Sequence, residues 1–79
     1  MTVIIGIKLK DKKNNSLELQ KILTEYSCEI KLRVGINNSS FLCSSYGIIL
    51  LQIDSLDSAI KLENSLINIS GIEIERMIF

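Results

Sequence analysis

Side chains that could perform acid–base or nucleophilic chemistry are scarce in this 79-residue sequence. It contains no His, so the commonest general base is missing. Its two cysteines, Cys28 and Cys43, have no imidazole to activate them, and they are too few for a closed zinc site without added carboxylates. No G-x-x-x-x-G-K-[ST] or G-x-G-x-x-G pattern is present to hold a nucleotide phosphate. We therefore expect no catalytic residue, no metal and no cofactor, and hence not an enzyme.

Two charged residues remain as candidates for binding. Glu63 falls within an apolar helical stripe, so it is either a carboxylate that reaches solvent at the edge of the stripe or a buried acid at a ligand or subunit contact. Arg33 lies in the outward set of an alternating strand, in which Ile30, Leu32 and Val34 are expected to face the core. Its side chain has three alternative roles: contact with solvent, a salt bridge to another subunit, or binding of an anionic ligand. Gly6 stands inside another strand, where glycine marks a bulge, a close approach or packing against a helix.

Composition and charge exclude two classes of partner. The net charge is zero, whereas nucleic-acid binders carry a basic excess, so we expect no direct nucleic-acid binding. The lysine cluster at Lys8, Lys10, Lys12 and Lys13 is then a solvated strand end rather than a phosphate site. The longest apolar run, 48–51, is far below the ~20 residues of a membrane span, and no signal peptide is evident. The sequence predicts a soluble, cytoplasmic protein with reduced thiols.

The elements that must position these residues follow from the hydrophobic spacing. Four segments, 3–9, 30–34, 46–53 and 72–78, have strand character, and two helical stripes lie between them. Asn15 is placed to cap the first helix, with Glu18 three residues later. Gly35 and Gly71 are expected in turns with positive φ. The first helical stripe consists of Leu19, Ile22, Leu23 and Tyr26.

This βαββαβ order predicts an α+β, ferredoxin-like fold: a four-stranded antiparallel sheet with two helices on one face. Residues 1–79 form a single domain in this interpretation. The run Ile48-Ile49-Leu50-Leu51 is apolar on both faces of its strand, so the sheet face without helices would expose apolar surface. We expect a copy of the chain to cover it, in a homodimer or homotetramer.

Four segments of the chain carry a pattern shared with a known family: Ile4-Ile5-Gly6-Ile7-Lys8-Leu9-Lys10-Asp11, Ile22-Leu23-Thr24-Glu25-Tyr26, Ile30-Lys31-Leu32-Arg33-Val34-Gly35-Ile36 and Ser70-Gly71-Ile72. Through them the chain resembles the iron-only hydrogenase system regulators, whose members are ACT-like domains of anaerobic bacteria. The resemblance covers roughly residues 3–78, and the chain departs from the family pattern at Thr24, Ser27, Asn37 and Asn64-Ser65-Leu66-Ile67.

The resemblance implies a self-associating ACT-like domain with a regulatory role. Such dimers hold small effectors at subunit interfaces, which places an effector site near the ends of the first strand and first helix. The expected ligand-binding residues are Lys10, Asp11, Asn14, Asn15, Arg33 and Gly35. The alternative is a structural module that docks on a protein partner and binds no small molecule.

Overall fold

The computed structural model describes residues 1–10, 12–37 and 47–79, and the side chains of 12–16, 36 and 37 are not described. The sheet order is β2-β3-β1-β4, and every neighbouring pair is antiparallel. This is the expected ferredoxin-like architecture. The elements are β1 (Val3–Leu9), α1 (Lys12–Glu25), β2 (Ile30–Asn37), β3 (Gly47–Ile53), α2 (Leu56–Leu66) and β4 (Ile72–Ile78).

The hydrophobic core lies between the helices and one face of the sheet, because alternate side chains of the two central strands point toward the helices. In β1 and β3 these buried side chains face one another in register, as Ile5 does with Leu51. The helices contribute the side of the core opposite the sheet. The buried core as a whole consists of Val3, Ile5, Ile7, Leu9, Leu19, Leu23, Ile49, Leu51, Ile53, Ala59, Leu62, Leu66 and Ile69.

The two helices are joined to each other by more than apolar packing. Tyr26 follows the last turn of α1, and its hydroxyl lies 3.0 Å from Ser65 Oγ and 3.3 Å from the Lys61 carbonyl, both on α2. Ser55 caps α2 by accepting a hydrogen bond from the Ser58 amide, as its residue type predicts. The helix α1 begins at Lys12, so the prediction of Asn15 as its cap was wrong.

A β-bulge in β2 corrects the predicted orientation of that strand. Ile30 pairs with Ile53, but Leu32 pairs with Gln52, so Lys31 is an extra residue in the ladder. One extra residue moves every later side chain to the opposite face. Leu32 and Val34 were expected to face the core and instead lie on the outer face, while Arg33 lies on the helix side.

The two glycines expected in turns differ from each other. Gly71 has φ 79° in the turn before β4, and its carbonyl accepts a hydrogen bond from the Lys10 amide. It lies beyond the end of α2, whose C-cap is Ile67, so it does not cap that helix. Gly35 lies within β2, opposite Ile49, and has no positive φ. The prediction was therefore right in conformation for Gly71 and wrong for Gly35.

The sheet surface that faces away from the helices is here called the open face. It exposes apolar side chains: Leu32 is 54% exposed and Met77 is 55% exposed. This agrees with the expectation drawn from the doubly apolar third strand. The described residues of the open face are Ile4, Gly6, Lys8, Leu32, Val34, Ile48, Leu50, Gln52, Glu73, Glu75 and Met77.

None of the helices in the described ranges is long and apolar enough to cross a membrane.

Candidate functional site

Arg33 is the predicted site residue whose surroundings differ most from expectation. Because of the bulge it emerges on the helix side of edge strand β2, where its Nη2 donates a hydrogen bond to Gln20 Oε1 of α1. Gln20 is a neutral amide. Within residues 1–10, 12–37 and 47–79, Arg33 forms no salt bridge. An exposed guanidinium with five donors can therefore still pair with a planar anion.

Gly35 leaves room on the same side of the same strand. It lies two residues beyond Arg33 in an alternating ladder, so both positions face the helix layer. A Cβ built on Gly35 would meet no atom of the described residues within 4 Å. In that part of the chain, no side chain fills the position beside Arg33 on the helix side of β2.

A shallow groove on the flank of α1 extends this region. Its volume is about 490 Å³, and Gln20, the partner of Arg33, is one of its walls. Leu17, another wall, is 83% exposed. The lining side chains are Leu17, Glu18, Gln20, Lys21 and Thr24. Apolar surface, an amide, the carboxylate of Glu18 and two cations, Lys21 and Arg33, therefore lie along α1 and the edge of β2, a region called here the α1–β2 groove.

Lys10 is engaged elsewhere. Its Nζ lies 3.0 Å from Glu73 Oε1, a carboxylate at the start of β4. The hydrogen bond and positive charge of Lys10 hold the pKa of Glu73 below its ordinary value, and the charge of Lys8 acts in the same direction. Both side chains are more than half exposed, so solvent screens this pair.

Lowering the pH should release this ion pair at a lower pH than the one at which an ordinary glutamate is protonated. A depressed folded-state pKa gives a stabilisation that is present above the unfolded value and lost as pH falls through the folded one. An NMR titration of the Glu73 carboxyl should show the depressed pKa in the wild type and a rise toward the ordinary value in Lys10→Met. Lys61→Met, a cation change on α2, should leave Glu73 unaffected. Equal Glu73 titration in the wild type and Lys10→Met would contradict the pairing.

The predicted site residues therefore separate into two places. Arg33 and Gly35 lie together on the helix side of β2, whereas Lys10 contacts β4 at the far side of the sheet. Asn14 and Asn15 belong to the N-terminal part of α1. Asp11, like Cys43, lies outside the described residues. The groove residues of α1 were missed, although the helical spacing of Leu17, Lys21 and Thr24 marks a flank beside the buried stripe.

The environment of Glu63 is intermediate between its two predicted roles, a solvated carboxylate and a buried acid. It is half-buried, and its Oε2 accepts a hydrogen bond from Arg76 Nη1 of β4 at 2.9 Å. The partner is thus within the chain. A cleft of about 360 Å³ lies beside this pair, and its walls are Glu63, Asn64, Ile67, Ile72 and Ile74. Within the described ranges no group of three or more Cys, Asp or Glu could hold a metal ion.

The βαββαβ order and the sheet order β2-β3-β1-β4 define the fold as ferredoxin-like, of the ACT-like type. No protein-family model and no curated protein sequence matches the chain. Among solved structures, it is similar to the uncharacterized protein TM1266 from Thermotoga maritima. The TM-score is 0.82 and the identity 25%, over 96% of this chain and 92% of that one.

Two further structures support the fold class. The ACT domain of GTP pyrophosphokinase from Chlorobium tepidum has a TM-score of 0.72 at 18% identity, over 98% of this chain and 97% of that one. A dimeric ferredoxin-like protein of unknown function from Jannaschia sp. CCS1 has a TM-score of 0.61 at 12% identity, with both chains fully covered. These similarities support the ACT-like part of the predicted resemblance. Membership of the hydrogenase regulator family stays a prediction.

Proposed function

We propose that this chain is a small regulatory binding domain that self-associates and binds a small anionic effector in the α1–β2 groove. The observation that carries the proposal is the set of contacts around Arg33. Its guanidinium contacts a neutral amide, Gln20, which is a wall of a groove with apolar and polar sides, and it lies on the same side of β2 as Gly35. A carboxylate or phosphate group would complete its hydrogen bonding, and the exposed Leu17 offers contact for an apolar part of the effector.

The proposal assigns binding rather than catalysis to this groove. The chain has no His, and the groove supplies a carboxylate, an amide, a hydroxyl and two cations, without a nucleophile activated by a base. Such a domain would act by changing the affinity of a protein partner when its effector is bound. The resemblance to regulators of iron-only hydrogenase systems supports hydrogenase expression or maturation as the process it regulates.

Removing the Arg33 side chain should abolish most of the effector affinity. Calorimetry with phosphate, small carboxylic acids and amino acids would identify a ligand for the wild type. Arg33→Ala should then bind it about 10- to 100-fold more weakly, because charge-assisted hydrogen bonds contribute about 1.5–3 kcal/mol. Arg33→Lys should retain part of the affinity, since charge is kept and the bidentate geometry is lost.

The matched control is Lys61→Ala, which removes one positive charge from α2, away from the groove. It should leave the dissociation constant unchanged within about twofold if the effect is local rather than due to net charge. Equal binding by the wild type and Arg33→Ala would exclude Arg33 as the anion-binding group. If no compound produced heat or a thermal shift, the effector part of the proposal would fall.

The second candidate function is a structural module that binds a protein and no small molecule. The exposed apolar side chains of the open face favour it, because contiguous apolar surface marks interaction sites. Affinity capture with the wild type and with Leu50→Gln would separate the two functions. A partner lost from Leu50→Gln but kept by Arg33→Ala would support the module.

A further inference from the structure

The strand β4 is one edge of the sheet, and it lacks the features that keep an edge strand from pairing with a further strand. Among the described residues its single neighbour in the sheet is β1, and the register between them is regular. Natural proteins protect edge strands with a bulge, a proline or lysine side chains. The other edge strand, β2, has a bulge at Lys31 and a second cation in Arg33. Since β4 has no bulge, no proline and no lysine, its edge is open to pairing.

The hydrogen bonds between β1 and β4 show which backbone groups of β4 lie at the free edge. Just beyond one end of the pair, Thr2 and Phe79 exchange two bonds, at 2.8 and 3.2 Å, and at the other end the Lys10 amide donates to the Gly71 carbonyl. In an antiparallel pair, every second residue bonds toward the neighbouring strand. The intervening residues direct both their N–H and their C=O groups away from the sheet. These residues are Ile72, Ile74, Arg76 and Ile78.

The side chains of the same residues lie on the helix side of β4, since Ile74 is opposite the buried Ile7. On that side lies the cleft of about 360 Å³ between β4 and α2. Its walls are largely apolar, and one of them, Ile67, is 73% exposed. A strand added to β4 would direct every second side chain toward this cleft. The cleft therefore favours apolar side chains at those positions.

The opposite side of β4, on the open face, is acidic. Its carboxylates are Glu73 and Glu75. Lys10 neutralises Glu73, whereas Glu75 forms no salt bridge with any other described residue. On the cleft side, Arg76 and Glu63 neutralise each other at 2.9 Å. A basic side chain beside Glu75 would form a cross-strand pair of opposite charge, which stabilises strand pairing.

We propose that β4 binds an extended segment of another protein as a fifth strand of the sheet, and that apolar and basic side chains alternate in this segment. The inference rests on the partner binding in the proposed function, and it names the surface and the chemistry of the partner. Main-chain hydrogen bonds to the free edge would supply affinity, as in other cases of strand addition. The apolar side chains would enter the cleft beside Ile67 and Ile74, and the basic ones would lie beside Glu75.

A second copy of the chain does not complement this edge. Three two-fold antiparallel registers pair at least five of the seven residues of β4 with a copy of itself, and each brings like charges together. They place Glu75 opposite Glu75, Glu73 opposite Glu75, or Arg76 opposite Arg76. Like charges directly opposite destabilise a strand pair. The edge of β2 fits no better, because its Arg33 lies on the helix side and its apolar side chains lie on the open face.

Fluorescence anisotropy with a labelled synthetic peptide tests the proposed strand addition. The probe is a peptide as long as β4, in which lysine and valine alternate, and the control peptide has glutamate in place of lysine. The lysine peptide should bind the wild type saturably, with a dissociation constant below about 1 mM, and the glutamate peptide at least about tenfold more weakly. Equal binding of the two peptides, or no saturation by the lysine peptide, would overturn the proposal.

Methylation of the peptide backbone separates strand addition from simple charge attraction. A lysine peptide that is N-methylated at every residue keeps its side chains and charges but has no N–H group to donate to β4. Its binding should be at least about tenfold weaker than that of the unmethylated peptide. Equal dissociation constants would show that no backbone pairing occurs.

A charge reversal locates the site on the protein. Glu75→Lys should bind the lysine peptide about tenfold more weakly than the wild type. The matched control, Glu29→Lys, makes the same charge change at an exposed residue before β2, at the other edge of the sheet, and should leave the constant unchanged. Equal weakening by the two variants would assign the effect to net charge and overturn the site.

Two measurements separate this inference from the other proposed interactions. Arg33→Ala should bind the lysine peptide like the wild type, so effector binding without peptide binding would overturn the β4 site alone, and the reverse result would overturn the α1–β2 groove alone. Sedimentation with and without the lysine peptide tests the alternative occupant. A wild-type dimer that the peptide dissociates would assign the β4 edge to a second copy and overturn the proposal.

Discussion

Replacing Leu62 with alanine should lower the free energy of unfolding by about 2–5 kcal/mol. Leu62 lies on the buried side of α2 and has no exposed surface. Truncation removes its transfer free energy from water and leaves a cavity that close-packed neighbours fill incompletely. Because small domains have total stabilities of about 5–15 kcal/mol, this one change removes a large fraction.

The measurement is urea denaturation of the wild type, Leu62→Ala and the matched variant Leu17→Ala. Leu17 is also a helical leucine, but it is 83% exposed. Leu17→Ala should stay within about 0.5 kcal/mol of the wild type, because little apolar area is lost and alanine favours the helix. Similar losses in the two leucine variants would mean that Leu62 is not in the core.

Replacing Gly71 with alanine should lower the free energy of unfolding by about 1–2 kcal/mol. Its φ of 79° lies in the left-handed region, which an L-residue adopts only with strain. This turn also brings β4 beside β1, since the Gly71 carbonyl accepts the Lys10 amide hydrogen bond at 2.8 Å. Alanine would therefore strain the connection that sets the register of an edge strand.

Gly35→Ala is the control for this prediction. Gly35 lies in an extended strand, and no atom of the described residues lies within 4 Å of where its Cβ would be, so alanine should be neutral or stabilising by about 0.5–1 kcal/mol. Thermal and urea unfolding of both variants would give the comparison. A Gly71→Ala protein as stable as Gly35→Ala would contradict the strained turn.

Element order and the core were predictable because they depend on residue periodicity. The alternation in 3–9 and the helical spacing of Leu19, Leu23 and Tyr26 are repeated signals, and burial of an apolar set on one face follows from each. The positive φ of Gly71 was predictable for a similar reason, since few residues besides glycine adopt that conformation.

The candidate site was less predictable because one extra residue controls it. Nothing in Ile30-Lys31-Leu32 marks a bulge: these three residues include no glycine, and the apolar alternation continues through them. Alternation alone therefore assigned Leu32 to the core and Arg33 to the outer surface. The groove along α1 depends on which flank meets β2, and this is a property of tertiary packing rather than of sequence spacing.

The bulge has a mechanical consequence for β2. Beyond Lys31 this edge strand directs Arg33 and Gly35 into one layer of the protein and Leu32 and Val34 into the other. The two sets alternate along a single stretch of backbone only a few residues long. If the proposed anion binds Arg33 and tilts that backbone, the apolar side chains on the opposite side of β2 would move with it.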